Sequence, residues 1–557
     1  MNKAALPLIL LLLTASGCSR YPVPRPQPVH SDIEISAFYY PGTEQMAEWD
    51  MVEQTYPHIK PLLGWYNESN PEVIDWQIKW ACEHGISSFA VDWYWNQGVR
   101  RLEHWVTGFY KARWRSYLKW YLMWANHNEP GSHSTADQLA VTQYWIDNYF
   151  KTPEYYRIDG RPVVIIWSLD RLDEDFIAEA ATQGVSLGKG EGAKKALALS
   201  DSLARASGLK GIYFIDMLHR DSKDATMDKM NRAEAAGYEA QMVYNFHSWA
   251  FDFVQGGYGN TGARRTMGFD MICEGVQKWW AWSDSVSTHH IWPIIPTGWD
   301  DTPRSFNFAR VVEGRTPENF LELCRKAREY CEKTGHGQVI IAPLNEWQEG
   351  SYIEPNEEFG FGMYDALREA FCTKPAGGWP RNICPSDVDA GPYDYPRMEH
   401  PARTSWDFED GVQGWYRNPY GTTIIKSVGG RLHFVRTQAR MAAIRTRIAP
   451  FDAELRPMVR IRMKVEGNHA WAMEPTGNET MTLWFGSGTS PIFDGDFSLD
   501  AGMSVSQPVI IDGEYHDYTF DMTANPRWTG MIEELWFNPA DLQHAIVDIE
   551  SIEITGI

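Results

Sequence analysis

Between residues 33 and 373, short apolar runs alternate with helical segments, and the alternation repeats eight times. The strand candidates are 35–41, 86–95, 119–126, 162–168, 211–217, 240–246, 290–299 and 338–347. Helical spacing of apolar residues falls between them, as at 71–84, 136–150, 194–207, 271–287 and 317–333. Asn70-Pro71 and Thr316-Pro317 supply helix starts, while Gly85, Gly208 and Gly335 supply stops. Eight strand–helix repeats in this length match the count and size of a (β/α)8 TIM barrel, an α/β fold. A doubly wound open sheet is the alternative, but no GxGxxG run follows the first strand.

In a barrel of this kind the active site lies where the strands end. The strand ends here are polar and aromatic: Tyr39 and Tyr40 on the first, Asp92, Trp93 and Trp95 on the second, Trp124, Asn126 and His127 on the third. Trp167 closes the fourth, Asp216 and His219 follow the fifth, and Asn245 and His247 the sixth. Trp299, Asp300 and Arg304 follow the seventh, and the eighth gives Asn345, Glu346, Trp347 and Glu349. Carboxylates and amides bind hydroxyls and indoles stack on ring faces, so this set reads as a cleft for an oligosaccharide or polysaccharide. The chain's 26 Trp, equal to its Tyr and above its 24 Phe, fit that reading, although a Trp-rich core is the plain alternative. A net charge of −22 gives no basic footprint for nucleic acid.

Glu346 and Glu349 are the catalytic candidates. In a turn-like conformation their spacing puts both side chains on one side. Two neighbouring carboxylates perturb each other, so one can hold a proton near neutral pH while the other stays ionised. Glycoside cleavage needs that division, and a separation of roughly 5 Å goes with retention of configuration.

The segment Asn345-Glu346-Trp347-Gln348-Glu349-Gly350, followed by Ile353-Glu354-Pro355, resembles the NEWxEG…IEP signature of glycoside hydrolase family 99, the endo-α-mannosidases, and of family-99-like (WbsX-like) bacterial proteins. The resemblance extends to Phe38-Tyr39-Tyr40-Pro41, to residues 81–95, to Trp124-Ala125-Asn126 and to the run from Gly298 to Arg304. It implies that Glu346 deprotonates the sugar 2-hydroxyl, whose oxygen attacks the anomeric carbon to form a 1,2-anhydro sugar, and that Glu349 is the acid/base. The 2-hydroxyl must then lie anti to the leaving group, as in α-mannosides and α-L-rhamnosides. Gln348 stands where the mannosidases usually carry His, which puts the chain nearer the family-99-like branch. No step calls for a metal or another cofactor. The expectation is a retaining glycoside hydrolase. The alternatives are a WbsX-type glycosyltransferase and a non-catalytic glycan-binding surface lipoprotein.

Residues 1–18 carry Lys3, a short apolar stretch and the small residues Ala15-Ser16-Gly17 before Cys18. This is a secretory-leader pattern, and its end resembles the lipobox of bacterial lipoproteins, with Cys18 as the lipidated residue. It places the protein in the cell envelope, at the outer membrane, cell surface or periplasm, attached to membrane only through that anchor. The Pro-rich stretch 19–32 reads as an extended tether. Six cysteines remain with no zinc-type spacing, and Cys372 and Cys384 are candidates for a disulfide in an oxidising compartment. Residues 374–403, rich in Pro, Gly and Asp, form a linker that can pack on the barrel. Residues 404–557 read as an all-β sandwich, jelly-roll-like and similar at its two ends to carbohydrate-binding modules, with first and last strands paired. Trp471, Trp484, Trp528 and Trp536 are its candidate sugar platform, and a purely structural sandwich is equally consistent.

Overall fold

The computed structural model describes residues 21–42, 49, 52–53, 55–126, 130–244, 246, 253–254, 259–261, 264–287, 290–305, 309–395, 403–417, 425–436, 443–467, 475–486 and 501–556. Cys18 with the leader, and the site candidates His127, Asn245 and His247, lie outside the described residues, as do Trp471 and the side chain of Arg304.

Among the described residues, eight parallel strands form one closed sheet: β1 Glu34–Tyr39, β2 Ile86–Asn96, β3 Lys119–Trp124, β4 Arg161–Ile166, β5 Tyr213–Leu218, β6 Ala240–Val243, β7 in two pieces (His290–Ile291 and Ile294–Pro296), and β8 Gln338–Ala342. The seventh strand closes it. Its first piece pairs with β6 and its second with β8, which in turn pairs with β1. Pro293 sits at the break, where it lacks a ladder donor, yet its carbonyl still accepts from the Ile340 amide at 3.0 Å. The (β/α)8 barrel expected from the alternation is the observed fold.

Helices fill the crossovers: α1 Pro71–Glu83, α2 Glu103–Phe109, α3 Thr135–Trp145, α4 Leu169–Thr182, α5 Glu191–Ala206, α6 Lys223–Ala236, α7 Phe269–Val286 and α8 Pro317–Thr334, with α9 Gly362–Phe371 after β8. The start signals work as read. Asn70 caps α1 through the Glu72 amide at 3.0 Å, and Thr316 and Asn319 exchange side-chain bonds at the start of α8. Six of the eight strand candidates overran at their C-terminal ends, where the chain continues into the loops that build the mouth, while the second and fifth stop one residue short of Asn96 and Leu218.

Between β5, β6 and α6 lies a buried carboxyl, Asp216. Burial, opposed by Lys229, raises it to about 7. A group raised in the folded state stabilises fully below its unfolded value of 3.8 and loses that contribution as pH rises through about 7. Asp216→Asn is therefore expected to flatten the fall in melting temperature between pH 5 and 8, as followed by calorimetry.

Two expectations need correction. The tether is docked rather than free. Val23 is buried, its carbonyl accepts from Trp114 Nε1 at 3.1 Å, the Tyr21 hydroxyl bonds Asp75, and His30–Ser31 pairs with Cys372–Thr373. The cysteines at 372 and 384 are both free thiols. Cys372 is buried against Gly85, whereas Cys384 Sγ faces Ser386 and Asp387 at 3.1 and 3.2 Å. The linker does pack on the barrel: the Tyr393 and Tyr395 amides bond the carbonyls of Leu63 and Trp65 at 2.7 Å each, and Trp80 Nε1 bonds the Ile383 carbonyl.

The C-terminal region is two antiparallel sheets over a common apolar core. In one, Ser405–Trp406 pairs with Ile546–Thr555, so the two ends of the domain meet as expected. The other runs Trp415–Arg417, Ile444–Asp452, Met531–Asn538, Thr480–Gly486, Ser504–Pro508. Among the described residues, the candidate tryptophans do not form an open platform. Trp528 lies in the core, Trp536 is buried with its Nε1 on Glu534 at 2.7 Å, and Trp484 is half-buried.

Candidate active site

Side chains of a strand alternate between the barrel interior and the helix layer, and this alternation sorts the residues at the mouth. On β1, Phe38 points inward, where its ring meets Tyr244 edge-on at 4.6 Å. Tyr39 points outward: its ring stacks on Phe89, and its hydroxyl bonds Gln77 of α1 at 3.0 Å. On β2, Asp92 is inward while Trp93 is outward, packed on Tyr144, Trp145 and Tyr149 with its Nε1 on Glu103 of α2 at 2.8 Å. Trp95 stacks on Trp93 and bonds Asp137 of α3, and Trp124 packs between His133 and Trp145. Tyr39, Trp93, Trp95 and Trp124 therefore belong to the wall between barrel and helices, not to a sugar cleft. Truncation there is expected to cost stability. Trp93→Ala should lower unfolding free energy by about 3–5 kcal/mol in denaturant titration, with no selective loss of ligand affinity.

The amides are braces. The Asn345 side chain accepts from the Tyr40 amide at 2.9 Å and donates to its carbonyl at 3.1 Å, tying the end of β8 to that of β1. Asn126 clasps the backbone of Ser168 in the same way, at 2.7 and 2.8 Å. Trp347 donates to Glu354 and lies flat on Tyr352, ring centroids 4.3 Å apart. Trp299 and Asp300 line a separate cavity of about 150 Å³ with Tyr56, Arg315 and Tyr352. Trp167 is different. It turns to the interior and contacts His219 and Tyr244.

The catalytic candidates sit on a tight hairpin. Asn345–Glu346 pairs antiparallel with Ser351–Tyr352, and a single 3-10 turn, Trp347–Glu349, joins them. Glu346 and Glu349 thus flank one helical turn, as their spacing suggested. Gly350 ends the turn with φ of +61°, and a Cβ there would fall 2.6 Å from that of Asp300. Only glycine fits such a position. The Asp300 amide holds the Glu349 carbonyl at 2.6 Å, and Arg315 Nη1 takes the carbonyls of Gly350 and Tyr352 at 3.0 and 3.2 Å.

Both glutamates are buried, at 7% and 4% exposure, and they converge with two further groups. The Tyr244 hydroxyl, at the end of β6, donates to Glu346 Oε2 at 3.2 Å. Burial, followed by the charges of Asp92, Glu346 and Glu349, holds that phenol far above its usual range, so it acts as a donor. Asp92 is pushed well above the carboxylate range, first by burial and then by Glu349. Its Oδ1 has no hydrogen-bond partner among the described residues. The three carboxyls therefore gather around the Tyr244 hydroxyl, which bonds Glu346 and feels the charge of all three, while burial and Glu349 favour the protonated form of Asp92. Tyr244 was missed from sequence, although its neighbours Asn245 and His247 were chosen. No sequence signal marked it, because the wholly buried run of β6 carries no alternation that tells inside from outside. Among the described residues, no group of three or more His, Cys, Asp or Glu is arranged to hold a metal ion.

A family profile described as "Glycosyltransferase WbsX" matches residues 46–367, more than half of the chain and nearly all of the barrel. The chain belongs to this family. Among curated relatives of this WbsX-family chain, an "Uncharacterized protein WxcX" of Xanthomonas campestris pv. campestris is 24% identical over 360 residues, covering 59% of this chain and 46% of the relative. The chain thus spans about half the length of the curated relatives it matches. Among solved structures, a "Glycoside hydrolase-like protein" aligns with a TM-score of 0.44 at 15% identity, over 62% of this chain and 97% of its own. The GH99 endo-alpha-mannosidase from Bacteroides thetaiotaomicron aligns at 0.39 and 18% identity, over 61% of this chain and 96% of its own. The expectation of a WbsX-like barrel is borne out.

Proposed function

We propose that this WbsX-family barrel is a retaining glycoside hydrolase acting on α-manno-configured linkages, α-mannosides or α-L-rhamnosides, in a glycan. The observation that carries this reading is the convergence of Glu346, Glu349, Asp92 and Tyr244 at the C-terminal mouth of the barrel. In the proposed sequence, Glu346 takes the proton of the sugar 2-hydroxyl, and the freed oxygen bonds to the anomeric carbon. The bond from that carbon to the leaving oxygen breaks as Glu349 protonates it. Water then opens the 1,2-anhydro ring at the anomeric carbon: Glu349 takes the water's proton, and Glu346 returns a proton to the 2-oxygen. Both carboxyls end as they began. Tyr244 supports the reading by donating to Glu346, and Asp92, whose carboxyl burial pushes well above its usual range, is placed to donate to a sugar hydroxyl.

Tyr244→Phe removes one buried bond to a carboxyl, so it should lower unfolding free energy by about 1.5–3 kcal/mol, and kcat by about 10- to 100-fold where the variant remains folded. The experiment that tests the function is incubation of the protein with α-mannans, rhamnose-containing glycans and aryl α-mannosides and α-L-rhamnosides, with sugar release followed by chromatography. Release with retained anomeric configuration supports the reading, and binding without release across the panel would leave a glycan-binding protein.

The family description favours a second reading, a glycosyltransferase. Consumption of a nucleotide sugar in the presence of an acceptor glycan, with no hydrolysis in its absence, would establish it.

A further inference from the structure

We propose that the surface built by Tyr21, Arg25 and the segment 110–119 is the face on which the protein rests against an anionic lipid bilayer, with the catalytic mouth turned away. The segment reads Tyr-Lys-Ala-Arg-Trp-Arg-Ser-Tyr-Leu-Lys: four cations and no acid, in a chain with 73 acidic and 51 basic residues. Lys111, Arg113, Lys119 and Arg25 are exposed, and Tyr21, Trp114 and Tyr117 are half-buried among them. The docked N-terminal stretch joins them into one patch. The Arg113 guanidinium lies over the rings of Tyr21 and Trp114 at 4.8 and 5.0 Å, and Arg25 Nε bonds the Tyr117 hydroxyl at 2.6 Å. The acids beside the patch are engaged, Glu72, which faces Tyr21, by the Tyr393 hydroxyl at 3.1 Å. Asp75 takes the amides of Arg113 and Trp114, and Glu154 pairs with Arg115 at 3.3 Å. Cations interleaved with half-buried Trp and Tyr suit a headgroup layer, where aromatic rings sit at the interface and anionic lipids attract the charges.

Chain position adds a second, independent argument. Tyr21 is three residues after Cys18, an extended reach of about 10 Å, so an acyl chain on that cysteine would hold this patch at the bilayer. Orientation follows from the barrel. Lys119 opens β3, whereas Glu346 and Glu349 follow the last residue of β8, and parallel strands put those two ends on opposite sides of the sheet. Elsewhere the acidic surface is repelled by anionic lipid, so this patch also selects which way the protein lies.

The test uses the full chain, expressed with its leader and reconstituted into vesicles of phosphatidylethanolamine with phosphatidylglycerol and, separately, of phosphatidylcholine alone. Hydrogen exchange between Lys111 and Lys119 should slow several-fold only with phosphatidylglycerol, and about 1 M salt, which shortens the screening length to about 3 Å, should reverse it. Lys111→Glu with Arg113→Glu should remove the slowing. Thermal unfolding of that variant shows that it folds, and the milder pair Arg25→Gln with Lys111→Gln should weaken the effect. Equal exchange in both vesicle types, or protection elsewhere on the barrel, overturns the proposal. The intact mass of the same sample reads the state of Cys18 separately. An acylated chain without protection at 111–119 keeps the anchor and loses the surface, while an unacylated chain that is protected keeps the surface.

Discussion

Glu349→Gln is expected to reduce release of sugar from a natural glycan by about 10²- to 10⁴-fold, the usual contribution of a general acid/base. The loss should depend on the leaving group. An aryl glycoside whose phenolate departs unaided needs no proton in the first step, so much of the first-step rate should return with it. Glu346→Gln should lose a comparable amount and recover nothing with a better leaving group, because the nucleophilic oxygen itself is no longer activated. A substrate lacking the 2-hydroxyl should be inert to the wild-type enzyme. Steady-state kcat and kcat/KM on the paired substrates separate the two roles. Equal rescue of both variants, or turnover of the 2-deoxy substrate, would rule out the assignment. The two variants should unfold at wild-type temperature, since Glu349 and Glu346 act on ligand rather than on the packing beneath them.

The largest stability effect is expected at Glu354→Leu. Glu354 is fully buried behind the catalytic hairpin. It accepts from Tyr66 Oη at 2.7 Å, Gln77 Nε2 at 2.8 Å and Trp347 Nε1 at 3.2 Å, while Gln77 in turn accepts from Tyr39. Leucine leaves three buried donors without partners, each costing about 1–3 kcal/mol, for a total of roughly 3–6 kcal/mol after relaxation. Glu354→Gln should be milder, since one flipped amide satisfies part of the network. The carboxyl is raised to about 7, chiefly by burial. Its stabilising effect as a neutral acid is therefore full below 4.5 and fades as pH rises through about 7, so the wild-type advantage over Glu354→Gln should shrink between pH 5 and 8. Denaturant titration at the two pH values measures both effects. A Leu variant as stable as wild type would mean that the network does not hold the hairpin.

Much of this molecule was legible in the chain. The eight alternations and the capped starts of α1 and α8 depend on short-range pattern, the pairing of the sandwich's two distant ends was read from its likeness to carbohydrate-binding modules, and each appears as read. The turn that carries Glu346 and Glu349 was readable from their spacing of three, and the structure places them on one 3-10 turn of a hairpin. The docking of Val23 was not visible, because a Pro-rich stretch reads the same whether it is solvated or laid along α1.

The sequence by itself determined the barrel, its length and the end at which chemistry would lie. Only the tertiary structure decided which residues at that end face the barrel interior. Strands of a parallel barrel are buried on both faces, so their apolar runs carry no alternation from which to read inside and outside. Closure fixed that choice, turning Asp92 and Tyr244 toward the glutamates and Trp93 and Trp124 toward the helices.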